Sequence, residues 1–497
     1  MSMRLQAALF VWAHRKDNAQ HSTAYSLYTI IFVGLIVLLP VLYALWMIAV
    51  SPEGIAALTS SYAPTATAHI IVGLWTCALL IGRERGPALL PPVLLHVFAS
   101  SDIARTRMFM KPVSRAFGGV VLATTFMTSF VGCVLLSDNH ITLHDAIVFS
   151  CSGVLVGVVT ACAWLAGQAL PKVSGWTALV LMMLAGTAAY VPAFRSATPW
   201  WWGSYPGADH SGDVSTVLLA LVACVLLAFV PKLLNAMHIV RALDQAHRWE
   251  TATQRVIRLE MSAAAQTYQR HPTIARKVHA LRPHSVVATT LFVRDAVGAL
   301  RTPSRLIVGS IVVISAGVLF GVATHATTPD LLVAGIAGIL LFFGVNPFMP
   351  GLTHALHTAG GVSMYGLSDE SLVAQHAIFP TVTLTALLIV GVCVGAFMFA
   401  GPMFSALGGV LILSTFTVLT RIIYTIKGPM PPVLLTPIPT PMGDMSVYAQ
   451  AVWVCDGIIC AALVGVAAVT FVQAPQISIA VAVVLSACGV MRWKNRR

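Results

Sequence analysis

The sequence predicts an all-α, polytopic integral membrane protein of twelve transmembrane helices in two six-helix pseudo-repeats. Three observations predict it. Of 497 residues, 58% are hydrophobic and only 9% are charged, against about 25% charged in an ordinary soluble domain. The mean hydropathy is +0.85. Apolar runs of roughly 20 residues, enough to cross a bilayer as a helix, recur along the whole chain. This composition excludes a soluble enzyme, a disordered chain, a nucleic-acid reader and a domain held by one span, despite a net charge of +12.

The first half is expected over residues 1–236. It opens on Arg4-Leu5-Gln6-Ala7-Ala8-Leu9-Phe10-Val11-Trp12, a basic amphipathic stretch suited to lying flat at the interface. No small-residue cleavage site follows the first long apolar run, so no cleavable signal is expected. Spans are expected at 27–50, 66–83, 116–136, 146–167, 175–193 and 214–236. A cytoplasmic linker, 237–303, follows. Val240, Leu243, Ala246 and Trp249 recur about a turn apart there, and Gln269-Arg270-His271-Pro272 breaks the helix. A second interfacial helix is expected at 289–301. The second half, 304–497, has spans at 305–326, 330–350, 379–400, 403–425, 449–472 and 475–491. Pro40, Pro231 and Pro347 interrupt spans, which membrane helices tolerate where neighbours re-satisfy the backbone.

Orientation follows from Lys and Arg. With both termini cytoplasmic, 28 of the 29 basic residues fall on inner segments, Arg195 being the exception. The basic charge is thus a topology signal first and an attraction to anionic lipid second. All nine cysteines lie in apolar runs and read as small packing residues.

A second echo supports the repeat. Phe98-Ala99-Ser100-Ser101-Asp102 and Tyr365-Gly366-Leu367-Ser368-Asp369 share aromatic-x-x-Ser-Asp at a displacement of 267 positions. Each lies in the longest inner loop of its half and leads into the third span. Fused repeats of this kind place a pathway at their interface.

Several chemistries are missing. No Gly-x-x-x-x-Gly-Lys-Ser/Thr loop is present, so any ATP must be bound by a separate subunit. Neither His-Glu-x-x-His nor Gly-x-Ser-x-Gly occurs. No metal site or cofactor is expected in this chain. Asp138, His140, His144 and Asp145 cluster in one outer loop, where solvated polar groups are the simpler reading; Asp145 reads as a charge at a helix N-terminus. His354 and His357 read as ordinary inner-loop groups. Asp456 is the main acid inside a span; it is either functional or set in a wet inner vestibule. Trp200, Trp201 and Trp202, in the outer loop 194–213, suit an interfacial anchor or a re-entrant outer gate. The proline-rich loop 428–448 reads as a rigid cytoplasmic loop or a partner contact.

With these features in place, the layout resembles the membrane subunit of an ATP-binding-cassette (ABC) exporter, whose half-unit has an interfacial helix and six spans. The run Ser100-Ser101-Asp102-Ile103-Ala104-Arg105-Thr106-Arg107-Met108-Phe109-Met110-Lys111-Pro112 is similar to the polar-then-basic stretch before span three of such permeases. The resemblance implies short coupling helices within 87–115 and 354–378 that dock onto a cytoplasmic ATPase, with ATP and Mg held by that partner. It implies coupling roles for Asp102, Arg105, Arg107, Lys111, Asp369 and Glu370, and a re-entrant role for the loop 194–213. The second half departs from the pattern. Its coupling segment carries no Lys or Arg, and only Gln473-Ala474-Pro475-Gln476 stands where a re-entrant loop belongs. The function expected is a non-enzymatic permease in the cell membrane exporting a hydrophobic or amphipathic substrate. The competing expectation is an ion-coupled secondary carrier using Asp456. A membrane enzyme for lipid-linked sugars would want paired carboxylates, and Asp138 with Asp145 is a poor pair.

Overall fold

The computed structural model describes residues 39–101, 103–195, 197–203, 205–206, 212–258, 261–268, 278–279, 286–325, 330–361, 366–399, 403–428, 430–436, 439–440 and 443–495. Helix dominates. The one extended pairing among the described residues is a short antiparallel ribbon, β1 (Pro439–Thr440) with β2 (Gly443–Asp444). Ten helices are long and apolar enough to cross a membrane, as a multi-pass membrane protein requires. The chain divides into two compact units, Met1–Gln254 and Arg255–Arg497. The division falls inside the expected linker.

The first unit runs α1 (Leu39–Val50), α2 (Pro52–Leu58), α3 (Ala63–Glu84), α4 (Pro92–Ala99), α5 (Arg105–Ser137), α6 (Leu143–Ala169), α7 (Pro171–Tyr190), α8 (Pro192–Arg195), α9 (Gly212–Ala236) and α10 (Ile239–Ile257). α6 is the central helix, packed by α3, α5, α7 and α9. Its start is fixed by a capping box. The Thr142 hydroxyl accepts from the Asp145 backbone, and the Asp145 carboxylate accepts from the Thr142 backbone. Asp145 is therefore the helix-terminal charge its position suggests. α3 and α6 meet backbone to backbone. A Cβ on Gly82 would lie 2.3 Å from the Trp164 carbonyl oxygen, and one on Gly167 2.2 Å from that of Leu79. Ala78 and Ala163 stand four residues before these glycines, so both helices present the small-xxx-small face on which membrane helices pack closely.

The second unit runs α11 (Met261–Gln266), α12 (Val287–Leu300), α13 (Pro303–His325), α14 (Leu331–Gly344), α15 (Pro350–Thr358), α16 (Asp369–Phe399), α17 (Met403–Ile426), α18 (Ser446–Thr470) and α19 (Pro475–Lys494). Phe320, Leu341, Phe348, Leu384, Leu413 and Val464 are buried in its core. α14 crosses α18 as closely as α3 crosses α6, again through glycines. The proline-rich loop contains one 3₁₀ turn, Pro432–Leu435, and the β1–β2 ribbon.

Ten of the twelve expected spans coincide with the ten long apolar helices. The other two differ for identifiable reasons. Of the first expected span, 27–38 lies outside the described residues, and 39–50 is helical as α1. The fifth is helical as α7, but it opens on Pro171 and Lys172 and is not among the ten. The N-terminal amphipathic stretch 4–12, Gln269-Arg270-His271-Pro272, Asp102 and Tyr365 also lie outside the described residues.

Two helices are longer than hydropathy alone indicates. α5 has 33 residues and α16 has 31. At 1.5 Å per residue α5 spans about 50 Å, against about 30 Å of hydrocarbon. Arg105, Arg107 and Lys111, expected in a loop, are therefore helical residues on the N-terminal turns of α5.

Candidate functional site

In the first unit, the segment joining α3 to α5 is tightly held and carries the short helix α4. The Trp164 indole N–H donates to the Arg85 carbonyl at 2.7 Å. The buried Gln168 amide clasps Ala88, accepting from its N–H at 3.0 Å and donating to its carbonyl at 3.1 Å. Gln168 also donates to Gln245 of α10 at 2.8 Å, and Gln245 donates to the Arg83 carbonyl at 3.0 Å. Buried amides are costly unless their hydrogen bonds are made. These made bonds fix the linker helix onto the segment that leads to α4.

The basic residues that follow have two environments. Arg105 donates to the carbonyls of Asn235 and Met237 at 2.8 and 2.9 Å, capping the C-terminal end of α9. Cations favour helix C-termini, so this contact has a structural cause. Arg107 and Lys111 are exposed, four residues apart, with Arg115 four further on. They form one basic stripe. Cations at the start of a helix oppose its dipole by about 0.3–1 kcal/mol each, so helix stability does not explain them.

In the second unit, the segment joining α14 to α16 carries the short helix α15. Asp369 and Glu370 form the first turn of α16, where carboxylates are electrostatically favoured. The Asp369 carboxylate accepts from the Gly360 N–H at 2.9 Å, and Glu370 accepts from the Trp493 indole at 3.3 Å. His354 and His357 are exposed on α15.

Sequence reasoning missed the most buried polar contact in this region. His376 of α16 meets Asp295 of α12 at 2.6 Å, Nδ1 to Oδ2. The two side chains are 1% and 4% exposed, so the pair is shielded from water. A Cβ on Gly351 of α15 would lie 2.0 Å from the Asp295 carboxylate. The pair thus joins the expected interfacial helix, α16 and α15. The available signal was pattern: Asp295 stands between Leu291 and Ala299, at i, i+4 and i+8, on the buried stripe of its helix.

The tryptophan loop folds into the first unit. Pro199–Trp201 forms a 3₁₀ turn. Trp200 is buried against Ile71, Trp75, Val156, Ala185 and Leu219, while Trp201 and Trp202 are partly exposed beside it. The Arg195 guanidinium lies 5.3 Å from the Trp201 ring centroid. The Tyr205 hydroxyl donates to the Leu58 carbonyl at 2.6 Å. Burial pushes its pKa up to about 12, so the phenol remains a donor at neutral pH.

Asp456 is paired twice. Lys427 takes one carboxylate oxygen at 2.7 Å and Arg492 the other at 2.8 Å. In the acidic and histidine cluster between α5 and α6, His140 meets Asp138 at 3.0 Å with both exposed. No group of three metal-ligating side chains occurs among the described residues. A groove of about 390 Å³ runs between α5 and α6, lined by Thr125, Ser129, Cys133, Ile147, Ser150 and Cys151 among others.

No protein-family model matches the chain, and neither a curated protein nor a solved structure is significantly similar to it.

Proposed function

We propose that the chain is the membrane-spanning permease subunit of an ABC transporter, exporting a hydrophobic or amphipathic substrate with energy from a separate ATPase. In this reading it has twelve spans in two pseudo-repeats, lies in the cell membrane, and keeps both termini in the cytoplasm. The observation that carries the reading is a short helix in the corresponding connection of each unit. α4 lies between α3 and α5, and α15 between α14 and α16. A partner can move a bundle only through a segment that does not yield. Gln168 and Trp164 stiffen the first connection, and the Asp295–His376 pair and Gly360–Asp369 contact stiffen the second. An ATPase dimer closing on ATP would rock the two halves through these levers. The exposed Arg107–Lys111 stripe supplies charge for acidic groups on such a partner. The α5–α6 groove is lined mainly by apolar atoms, the Thr125, Ser129 and Ser150 hydroxyls being bonded within or between the two helices, which suits a hydrophobic cargo.

The test is purification of the full chain from its own membranes in mild detergent, with identification of what copurifies. A stoichiometric ATPase is expected. Arg107→Glu with Lys111→Glu should cut its recovery about tenfold, equivalent to 1.4 kcal/mol of binding. Because both side chains are exposed and carboxylates suit the start of a helix, the melting temperature should not fall. A lone chain in several detergents would overturn the proposal.

One observation favours the ion-coupled carrier instead. The Asp295–His376 pair sets a carboxylate against an imidazole away from water, whereas Asp456 is occupied by two cations. Under that reading Asp295→Asn abolishes proton-driven uptake in vesicles that contain no ATPase; no such uptake is expected under the first.

A further inference from the structure

The strongest concentration of charge in the second unit is where α17 ends beside α18 and α19. Lys427 and Arg492 share the single carboxylate of Asp456. Lys427 also donates to the Trp453 carbonyl, and Arg492 to the Ile423 carbonyl at 3.1 Å. Both cations face the Trp453 ring, at 4.4 and 5.7 Å from its centroid. Arg421, about one and two-thirds turns before Lys427, is buried with its guanidinium on the Phe342 carbonyl and ring. No carboxylate other than Asp456 pairs with these cations among the described residues. Lys427 and Arg492 thus share one anion, a net charge of +1 in a partly dehydrated place. Helix C-termini offset part of this: Phe342 and Ile423 supply carbonyls near the ends of α14 and α17. Burial still holds the Lys427 pKa below its ordinary value, in spite of the Asp456 contact.

Buried charge is stable when it is paired, and this cluster is one anion short. It opens where Arg492 and Asp456 are 22% and 20% exposed. On the flank of α19 beside Arg492, Ile477, Val484 and Met491 are exposed at seven-residue spacing, an apolar stripe that ends next to this cation. An apolar stripe that ends at a cation matches a lipid with an anionic head. We propose that Arg492, positioned by Asp456 and backed by the charge of Lys427, binds the phosphodiester of an anionic lipid headgroup. Arg492 is 22% exposed and offers a planar fork suited to phosphate oxygens; Lys427, 7% exposed, supplies the unbalanced charge behind it. Asp456 sets the two cations apart and moderates their affinity. This inference does not depend on the transport reading.

Native mass spectrometry of the full chain in mild detergent tests it, with phosphatidylglycerol as the probe and phosphatidylcholine as the neutral control. One phosphatidylglycerol is expected to be retained in preference to phosphatidylcholine. Arg492→Gln should lower the retained fraction about tenfold. Asp456→Asn should raise it, because removing the competing carboxylate leaves Arg492 to the phosphate. A purely structural ion cluster predicts no such rise. Should Asp456→Asn fail to fold, Lys427→Gln, Asp456→Asn and Arg492→Gln combined give a neutral cluster with no orphaned charge, and this variant should lose the preference. Equal retention of both lipids, or unchanged binding in the Arg492→Gln variant, overturns the proposal. Displacement of the lipid by millimolar inorganic phosphate overturns the lipid as the source of the anion.

Discussion

Gly465→Val is expected to abolish recovery of monodisperse protein from detergent extracts. α14 and α18 cross through two glycines. A Cβ at Gly465 would lie 2.0 Å from the Ala334 carbonyl oxygen, and one at Gly338 2.1 Å from that of Ala461. Both obstacles are backbone, so no rotamer change relieves them. Ala334 and Gly338 on one helix, and Ala461 and Gly465 on the other, make the two small-xxx-small faces that let backbones approach. In a bilayer the hydrophobic effect does not press helices together, so lost contact area is not recovered elsewhere. Overpacking ordinarily costs about 1–3 kcal/mol, and a backbone-to-backbone clash belongs at or beyond the upper end. The effect should be less than additive. Once Gly465→Val has parted the helices, Gly338→Val adds little, because both act on one crossing. Gly118→Ala in α5 is the control. Nothing lies within 4 Å of its added Cβ, and alanine favours a helix over glycine by about 0.5–1 kcal/mol. It should leave the elution profile unchanged. Fluorescence-detected size exclusion with thermal challenge reads all four variants. A Gly465→Val protein that elutes and melts like the parent would refute the close crossing.

The glycine crossings show which parts of the fold are legible in the sequence. Ala334, Gly338, Ala461 and Gly465 are visible as small residues four apart, but nothing local says which pair of helices meets through them. The long apolar helices themselves are legible because twenty apolar residues have few other solutions. Their starts are not. Hydropathy sees α5 begin near residue 116, yet the backbone is helical from Arg105, since polar residues continue a helix outside the hydrocarbon at little cost. Arg105 was legible as a cation before a span; that it caps α9 was not, because Asn235 and Met237 lie 130 and 132 residues away. Asp456 was legible as an acid inside a span. Its occupation by Lys427 and Arg492 depends on three helices meeting at one level. Gln168 and Gln245 are 77 residues apart and become partners only through packing.

His376 and Asp295 carry the second large effect. Asp295→Ala is expected to lower stability by about 3 kcal/mol, the upper end of the cost of leaving a buried polar group without its partner. Its imidazole partner is 1% exposed, so water cannot replace the lost carboxylate. Asp295→Asn should cost far less, about 0.5–1.5 kcal/mol, because an amide of the same shape still hydrogen-bonds the ring. The difference between the two variants measures the contact; the cost of Asp295→Asn, common to both, measures what the carboxylate adds to it. Enlarging the Asp295 side chain is not a useful comparison, since its carboxylate already occupies the space beside Gly351. Gly351→Ala should therefore destabilise α15 from the opposite side, and combining it with Asp295→Ala should recover part of the loss as the truncated side chain makes room for the new methyl. Thermal melting in one detergent gives the four values on one scale. The geometry also fixes where damage spreads. α12 packs on α16 and on α15, and the pair is the buried polar contact at their meeting point. If α15 is a lever, freeing it from α12 should uncouple the partner before the bundle unfolds. Asp295→Ala, assayed below its melting temperature, is the variant in which that separation is measurable: ATPase recovery is retained while transport falls. Equal melting temperatures for Asp295→Ala and the parent would show that this buried contact contributes nothing to the fold.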